Sequence, residues 1–199
     1  MCNLYRLTSN VEAMRRLFAL DPAQAPNLPV FDEIYPDRDA PVIISGAGAD
    51  APRRVTLMRW GFPPPVAGTR PVTNVRNLAS PFWRTALSRP DRRCLVPVTA
   101  FAEWTAEPDP VTKRKQKVWF DVPAAEVFAF AGIWRPAGEV DRFAFLTTLA
   151  NGLVATVHPK AMPVILAPRD YTTWLTGDFA AVRALADAYP NDAMRILAA

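Results

Sequence analysis

The chain predicts an α+β fold in one domain: a largely antiparallel, barrel-like β-core with a few short flanking helices. Three observations carry this. Strand-like apolar runs recur along the 199 residues with short connections, and lack the alternating crossover helices that a parallel sheet needs. Twenty-one prolines against eight glycines point to short elements joined by rigid turns and argue against a helical bundle. Half of the residues are apolar and mean hydropathy is near zero, which suits one full core at this length. No repeat or low-complexity linker divides residues 1–199, so they read as a single domain.

Ser9-Asn10-Val11-Glu12 reads as a capping box, and Val11, Met14 and Phe18 lie on one helical stripe. Together they predict a helix over about residues 10–20, ending near Asp21-Pro22. Five prolines in residues 21–41 predict an extended loop. Strands are expected at Pro41–Ser45, Arg54–Trp60, Arg93–Trp104, Val118–Val122, Val127–Trp134, Phe143–Leu149 and Met162–Leu166. Ser80-Pro81 has the pattern of an N-cap with proline in the first turn, opening a short helix through Leu87. Pro168–Leu175 and Phe179–Ala188 read as two late helices, the first stopped by Gly177. Lys113-Arg114-Lys115-Gln116-Lys117 reads as the top of a hairpin, either a solvated turn or a clamp on a polyanion. Cys94, Trp60, Phe62 and Trp83 are expected in the core, although the three aromatics could instead stack on a base.

Several function classes fall away. No apolar run approaches the roughly 20 residues that span a bilayer. Met1-Cys2-Asn3-Leu4-Tyr5-Arg6 has no secretory h-region, so a cytoplasmic address is expected. Two cysteines and one histidine, with no carboxylate cluster beside them, suggest neither a disulfide framework nor a metal site. Neither a glycine-rich phosphate loop nor a Gly-x-Ser-x-Gly elbow is present, and no cofactor is expected. A net charge of +4 and a pI of about 9.4 suit a polyanionic partner and an ordinary basic surface equally.

Cys2 is the most informative residue. Loss of Met1 would leave an α-amine and a thiol on adjacent carbons, with ordinary pKa values of about 7.7–8.0 and 8.5. An aldehyde can form a Schiff base with such an amine and then take the sulfur, closing a five-membered thiazolidine. Glu103 lies in an otherwise apolar strand, Pro97-Val98-Thr99-Ala100-Phe101-Ala102-Glu103-Trp104. It is either a paired structural carboxylate or a proton-transfer group with a raised pKa. His158, in Val157-His158-Pro159-Lys160-Ala161-Met162-Pro163, is either an acid/base near neutral pH or a structural histidine. Asn74 and Arg76 in Thr73-Asn74-Val75-Arg76-Asn77 are turn residues, or else a carbonyl-orienting amide and a phosphate-binding guanidinium.

As an ordered set these motifs resemble one family. Met1-Cys2, Asn74-x-Arg76, Pro97-x-x-x-Phe101-x-Glu103-Trp104, Phe130-Ala131-Gly132-Ile133-Trp134, and His158 ahead of Met162-Pro163 are similar to the landmarks of the SRAP family. These are the SOS-response-associated peptidase-like, abasic-site processing proteins. Trp60-Gly61 and Cys94-Leu95-Val96-Pro97 also match, so the resemblance runs from Cys2 to about Leu166. It implies a sensor of abasic sites in single-stranded DNA that crosslinks to the opened sugar aldehyde and removes its own Met1. Cys2 would then be the nucleophile, and Asn74 would hold the N-terminal residue or the sugar. Glu103 would move protons as the Schiff base forms, and His158 would assist ring opening and reversal. Arg76 would bind a phosphate, with Trp104 and Thr147 lining the site.

The chain departs from the family pattern in places. Asn3 and Leu4 stand where glycine and arginine usually follow Cys2, so a local phosphate contact would fall to Arg6. Asn77-Leu78-Ala79 replaces the usual acidic residue after Arg76, and one extra residue separates His158 from Met162-Pro163. Arg53, Arg54, Arg59, Arg70 and Arg84 are further candidate phosphate contacts. A monomer is expected. Two alternatives stand beside this: an N-terminal-nucleophile amidohydrolase using the Cys2 thiolate, and a non-catalytic nucleic-acid-binding module.

Overall fold

The computed structural model describes residues 2–21, 28–46, 51–64 and 68–198. The first half holds β1 (Tyr5–Leu7), α1 (Val11–Phe18), β2 (Phe31–Ile34), β3 (Asp39–Ile44), β4 (Arg54–Trp60), β5 (Asn74–Val75), α2 (Pro81–Ser88) and β6 (Arg93–Val98). The second holds β7 (Ala100–Trp104), β8 (Lys117–Asp121), β9 (Phe128–Arg135), β10 (Arg142–Thr148), α3 (Gly152–Ala155), β11 (Met162–Pro163), β12 (Ile165–Leu166), α4 (Tyr171–Thr176), α5 (Phe179–Ala184) and β13 (Arg195–Ile196).

Strands β4, β3, β6, β9 and β10 pair in that order, and β10 returns to β4, closing a five-stranded barrel. Every rung is antiparallel except the closing one, where Phe143 lies opposite Trp60 in parallel register. Closure removes the barrel's edges. It also explains why β6 is buried on both faces, one toward the lumen and one under neighbouring elements. A second antiparallel sheet, β13-β8-β7-β1-β2, lies alongside. The expected α+β class and its mainly antiparallel core match what is found.

Aromatic packing joins the two sheets. Tyr5 of β1 meets Trp60 edge-on at 5.1 Å, Phe130 at 6.0 Å and Phe145 at 6.1 Å. Trp60 stacks on Phe145 at 5.0 Å, and Phe101 of β7 touches both Phe120 and Phe130. Such pairs add about 0.5–1.5 kcal/mol each beyond area burial. Because Tyr5 is anchored there, residues 2–4 are held against the barrel.

Gly132 shows how tightly the wall is packed. A Cβ there would lie 2.6 Å from Cys94 Sγ and 2.9 Å from Val96 Cγ2 on the paired strand. Gly132→Ala is therefore expected to cost about 1–3 kcal/mol through overpacking. A lowered urea midpoint with an unchanged m-value would show it, and an unchanged midpoint would refute it.

The differences from the sequence expectations have local causes. The N-cap of α1 is Asn10, whose Oδ1 accepts from Ala13 N at 2.9 Å, while Ser9 Oγ donates to Glu126 at 2.8 Å. Glu12 pairs with Arg15 rather than closing a capping box. The loop expected over residues 21–41 contains β2, because Phe31 and Ile34 find partners on β1; residues 22–27 lie outside the described residues. The long strand at 93–104 breaks at Thr99, whose N donates to Arg6 O at 2.9 Å as the chain passes from barrel to second sheet. The strand at 162–166 breaks at Val164, which bonds to Leu146 and Ala131 where the chain crosses from β10 to β9. The last helix stops at Ala184, short of Ala188. Cys94, Trp60, Phe62 and Trp83 are buried as expected.

Candidate active site

The anchored β1 delivers Cys2 to the end of β7. Ala102 N donates to Leu4 O at 2.9 Å, so the β1–β7 ladder runs on to the residues beside Glu103. Cys2 is 0% exposed, and its Sγ lies 3.5 Å from Leu4 O and 3.9 Å from Ala102 O. Burial first, and the neighbouring Glu103 charge second, push its thiol well above the ordinary range. The sulfur is therefore a protonated thiol at neutral pH.

Glu103 is 3% exposed, and burial pushes its carboxyl up to about 7. Its Oε1 has no hydrogen-bond partner among the described residues. A carboxyl with this pKa can give or take a proton near neutrality.

Asn74 approaches from β5. Trp60 Nε1 donates to Thr73 O at 3.1 Å, and Phe145 of β10 lies opposite Asn74, which fixes the short strand. Asn74 Nδ2 donates to Cys2 O at 3.1 Å and to Thr73 Oγ1 at 2.8 Å, while Thr73 Oγ1 donates to Asn3 Oδ1 at 3.3 Å. The amide thus holds the backbone of residue 2, as a carbonyl-orienting group does. Thr73 escapes a reading of the sequence; its only signal there is its place beside Asn74. Thr147 follows on β10, two residues beyond Phe145. Its Oγ1, like Asn74 Oδ1 and Glu103 Oε1, is buried without a partner among the described residues. Buried polar atoms are ordinarily paired, so three orphaned oxygens on Asn74, Glu103 and Thr147 are unusual.

His158 follows α3 and donates its backbone N–H to Val154 O at 2.8 Å. Val157 O accepts from Ala106 N at 3.1 Å, tying this segment to the chain just past Trp104. Burial lowers the imidazole pKa, aided by the charges of Lys160 and Lys115, so the ring is neutral at pH 7. Arg76 Nη1 donates to Lys160 O at 2.7 Å and to Thr148 O at 3.5 Å. Trp104, next to Glu103, is 45% exposed. Arg6 stands apart. Its guanidinium lies 4.7 Å over the Trp119 ring, and it lines a separate hollow with Thr8, Ser9, Thr99, Asp121 and Arg195.

The family profile described as SOS response associated peptidase (SRAP) matches residues 1–198. The chain belongs to the SRAP family. The SRAP fold is also found in solved structures that cover 98% of this chain. A Bordetella bronchiseptica protein is 26% identical, with a TM-score of 0.78 and 98% of its own length covered. A Bacteroides thetaiotaomicron protein is 21% identical, with a TM-score of 0.76 and 90% covered. A phage-related protein from Bordetella bronchiseptica is 19% identical, with a TM-score of 0.78 and 93% covered. No curated protein matches this SRAP sequence. Among its described residues, no group of three or more His, Cys, Asp or Glu side chains could hold a metal ion. No described helix is long and apolar enough to cross a membrane.

Proposed function

We propose that this SRAP protein captures abasic sites in single-stranded DNA as a covalent adduct on Cys2 after Met1 has been removed, by the chain itself in this scheme. The observation that carries the proposal is the buried Glu103 carboxyl beside Cys2, poised near neutral pKa with an orphaned oxygen. Removal of Met1 turns the Cys2 backbone nitrogen into an amine. That amine adds to the aldehyde carbon of the ring-opened sugar, giving a carbinolamine. Protonated Glu103 assists departure of the hydroxyl as water and leaves a protonated imine. The Cys2 sulfur then attacks the imine carbon while its proton passes to Glu103. One water is lost overall, and the product is a thiazolidine.

A protonated thiol suits this order, because the sulfur is needed only after the imine forms. It suits less well an amidohydrolase, whose nucleophile is the thiolate. Asn74, bonded to the Cys2 carbonyl, orients amine and sulfur toward one carbon. Arg76 supplies a phosphate contact, Trp104 an exposed ring for an unstacked base, and Thr147 a hydroxyl for the sugar. Neutral His158 takes the hydroxyl proton at the anomeric carbon as the sugar ring opens and gives a proton to the departing ring oxygen, and it activates the water that reverses the adduct.

The test mixes protein lacking Met1 with single-stranded DNA bearing an abasic site, followed by a denaturing gel. A heat-stable shifted band supports the proposal. Amide turnover without a band would point to a hydrolase, and salt-sensitive binding alone to a non-catalytic DNA-binding module. For His158→Ala, release of a preformed adduct is expected to slow by about 10-fold or more, within the range of general acid–base effects. An unchanged release rate would remove His158 from the mechanism.

A further inference from the structure

We infer that the β7–β8 hairpin tip is a second wall of the DNA channel, with Lys113, Arg114 and Lys115 binding phosphates of the strand that flanks the captured sugar. This rests on the DNA function proposed above and extends it to residues that play no part in the chemistry.

The tip is a braced structure. Thr105 N donates to Gln116 O at 3.0 Å, and Asp109 N to Arg114 O at 2.8 Å. Asp109 turns its carboxylate into the loop, accepting from Val111 N at 3.0 Å, Thr112 N at 2.7 Å and Gln116 Nε2 at 3.0 Å. Lys113 sits in the left-handed region with φ 57°, a conformation that costs a lysine energy and that the surrounding bonds hold. The result is a fixed display of three exposed cations. None of the three forms an ion pair among the described residues, whereas Lys117 at the base is paired with Glu33.

The tip also stands next to the site. Its base is the rung Trp104–Lys117, adjoining the rung Glu103–Val118. Its first limb is bonded to the His158 segment through Ala106 and Val157. The charges of Lys115 and Lys160 both act on His158, and Lys160 O accepts from Arg76. Arg76 is thus tied to the segment that carries His158 and Lys160, and the exposed Trp104 ring stands at the base of the hairpin that carries Lys115. Cations flanking an aromatic platform are the arrangement that tracks a single-stranded backbone. Glu107 and Asp109 are the acidic residues of the tip. Asp109 is committed to the loop's own N–H groups, which leaves the Lys113–Lys115 limb positive.

The test measures affinity for undamaged single-stranded DNA over a range of salt concentrations, comparing the full chain with Lys113→Asn/Arg114→Gln/Lys115→Gln and with Lys115→Gln alone. Each lost phosphate contact lowers the slope of log K against log salt by about 0.7, so the triple variant should lose about 2 and the single variant about 0.7. A control, Arg16→Gln/Arg169→Gln, removes charges elsewhere and should keep the wild-type slope. Triple and single variants with the wild-type slope would overturn the assignment. If the wild type still forms the abasic adduct in that case, the proposed function survives without the tip. If the wild type neither binds the strand nor forms the adduct, both fall.

Discussion

Cys2→Ala is expected to reduce the heat-stable DNA adduct to background, because it removes the sulfur that closes the ring. Cys2→Ser is the sharper variant. It keeps an α-amine, and so should still form a Schiff base that borohydride reduction traps, yet the unreduced adduct should not survive heating. The distinction follows from geometry as well as chemistry. Cys2 is fully enclosed, and Asn74 holds its carbonyl whatever the side chain. Either variant should therefore present its amine as the wild type does. A heat-stable adduct with Cys2→Ala would overturn the mechanism, since the bond would then have formed elsewhere.

Glu103→Gln should have the second largest effect. Proton transfer by a positioned group contributes about 10²–10⁴-fold. Crosslinking should slow by that order while affinity for intact single-stranded DNA stays within about twofold. Equal loss of both would assign Glu103 a structural role. The same carboxyl predicts an effect on stability. Its pKa is raised from 4.5 to about 7 by burial, so the folded protein holds a proton that the unfolded chain has released between those values. Stability conferred by the protonated form is complete below about pH 4.5, is lost as pH rises, and levels off above about pH 7. The total loss is on the order of 3 kcal/mol. A glutamine amide does not titrate, so Glu103→Gln should lack this decline and exceed the wild type in melting temperature at pH 8. Parallel pH profiles for the two proteins would show that the carboxyl is ionised without penalty.

Much of the barrel was legible because its strands are long and apolar enough to stand out between turn residues, as at Arg54–Trp60 and Val127–Trp134. The strands that escaped notice have two to four residues: β1, β2, β5 and β13. Segments this short carry no periodicity, and partners remote in sequence decide their state. Tyr5–Leu7 is a strand because β2 and β7 lie on either side of it. The breaks at Thr99 and Val164 were invisible for a related reason, since apolar residues continue through a change of sheet partner. Within the site, residue chemistry and the order of motifs point to Cys2, Asn74, Glu103 and His158. Thr73 is hidden because a hydroxyl bonded to a neighbouring amide has no sequence mark. Arg6, offered by the sequence as the arginine displaced from its usual place after Cys2, has its guanidinium over the Trp119 ring, a placement that only the pairing of β7 with β8 decides.

The enclosure of Cys2 bears on how long the protein keeps its reactive group. Peroxide consumes thiolates, and it does so fastest at exposed sulfurs. The Cys2 sulfur is protonated and walled in by the Leu4 and Ala102 backbone. It is a poor target for oxidants that would quickly exhaust a surface cysteine. Under the function proposed above, a trap built this way would stay armed through oxidative stress.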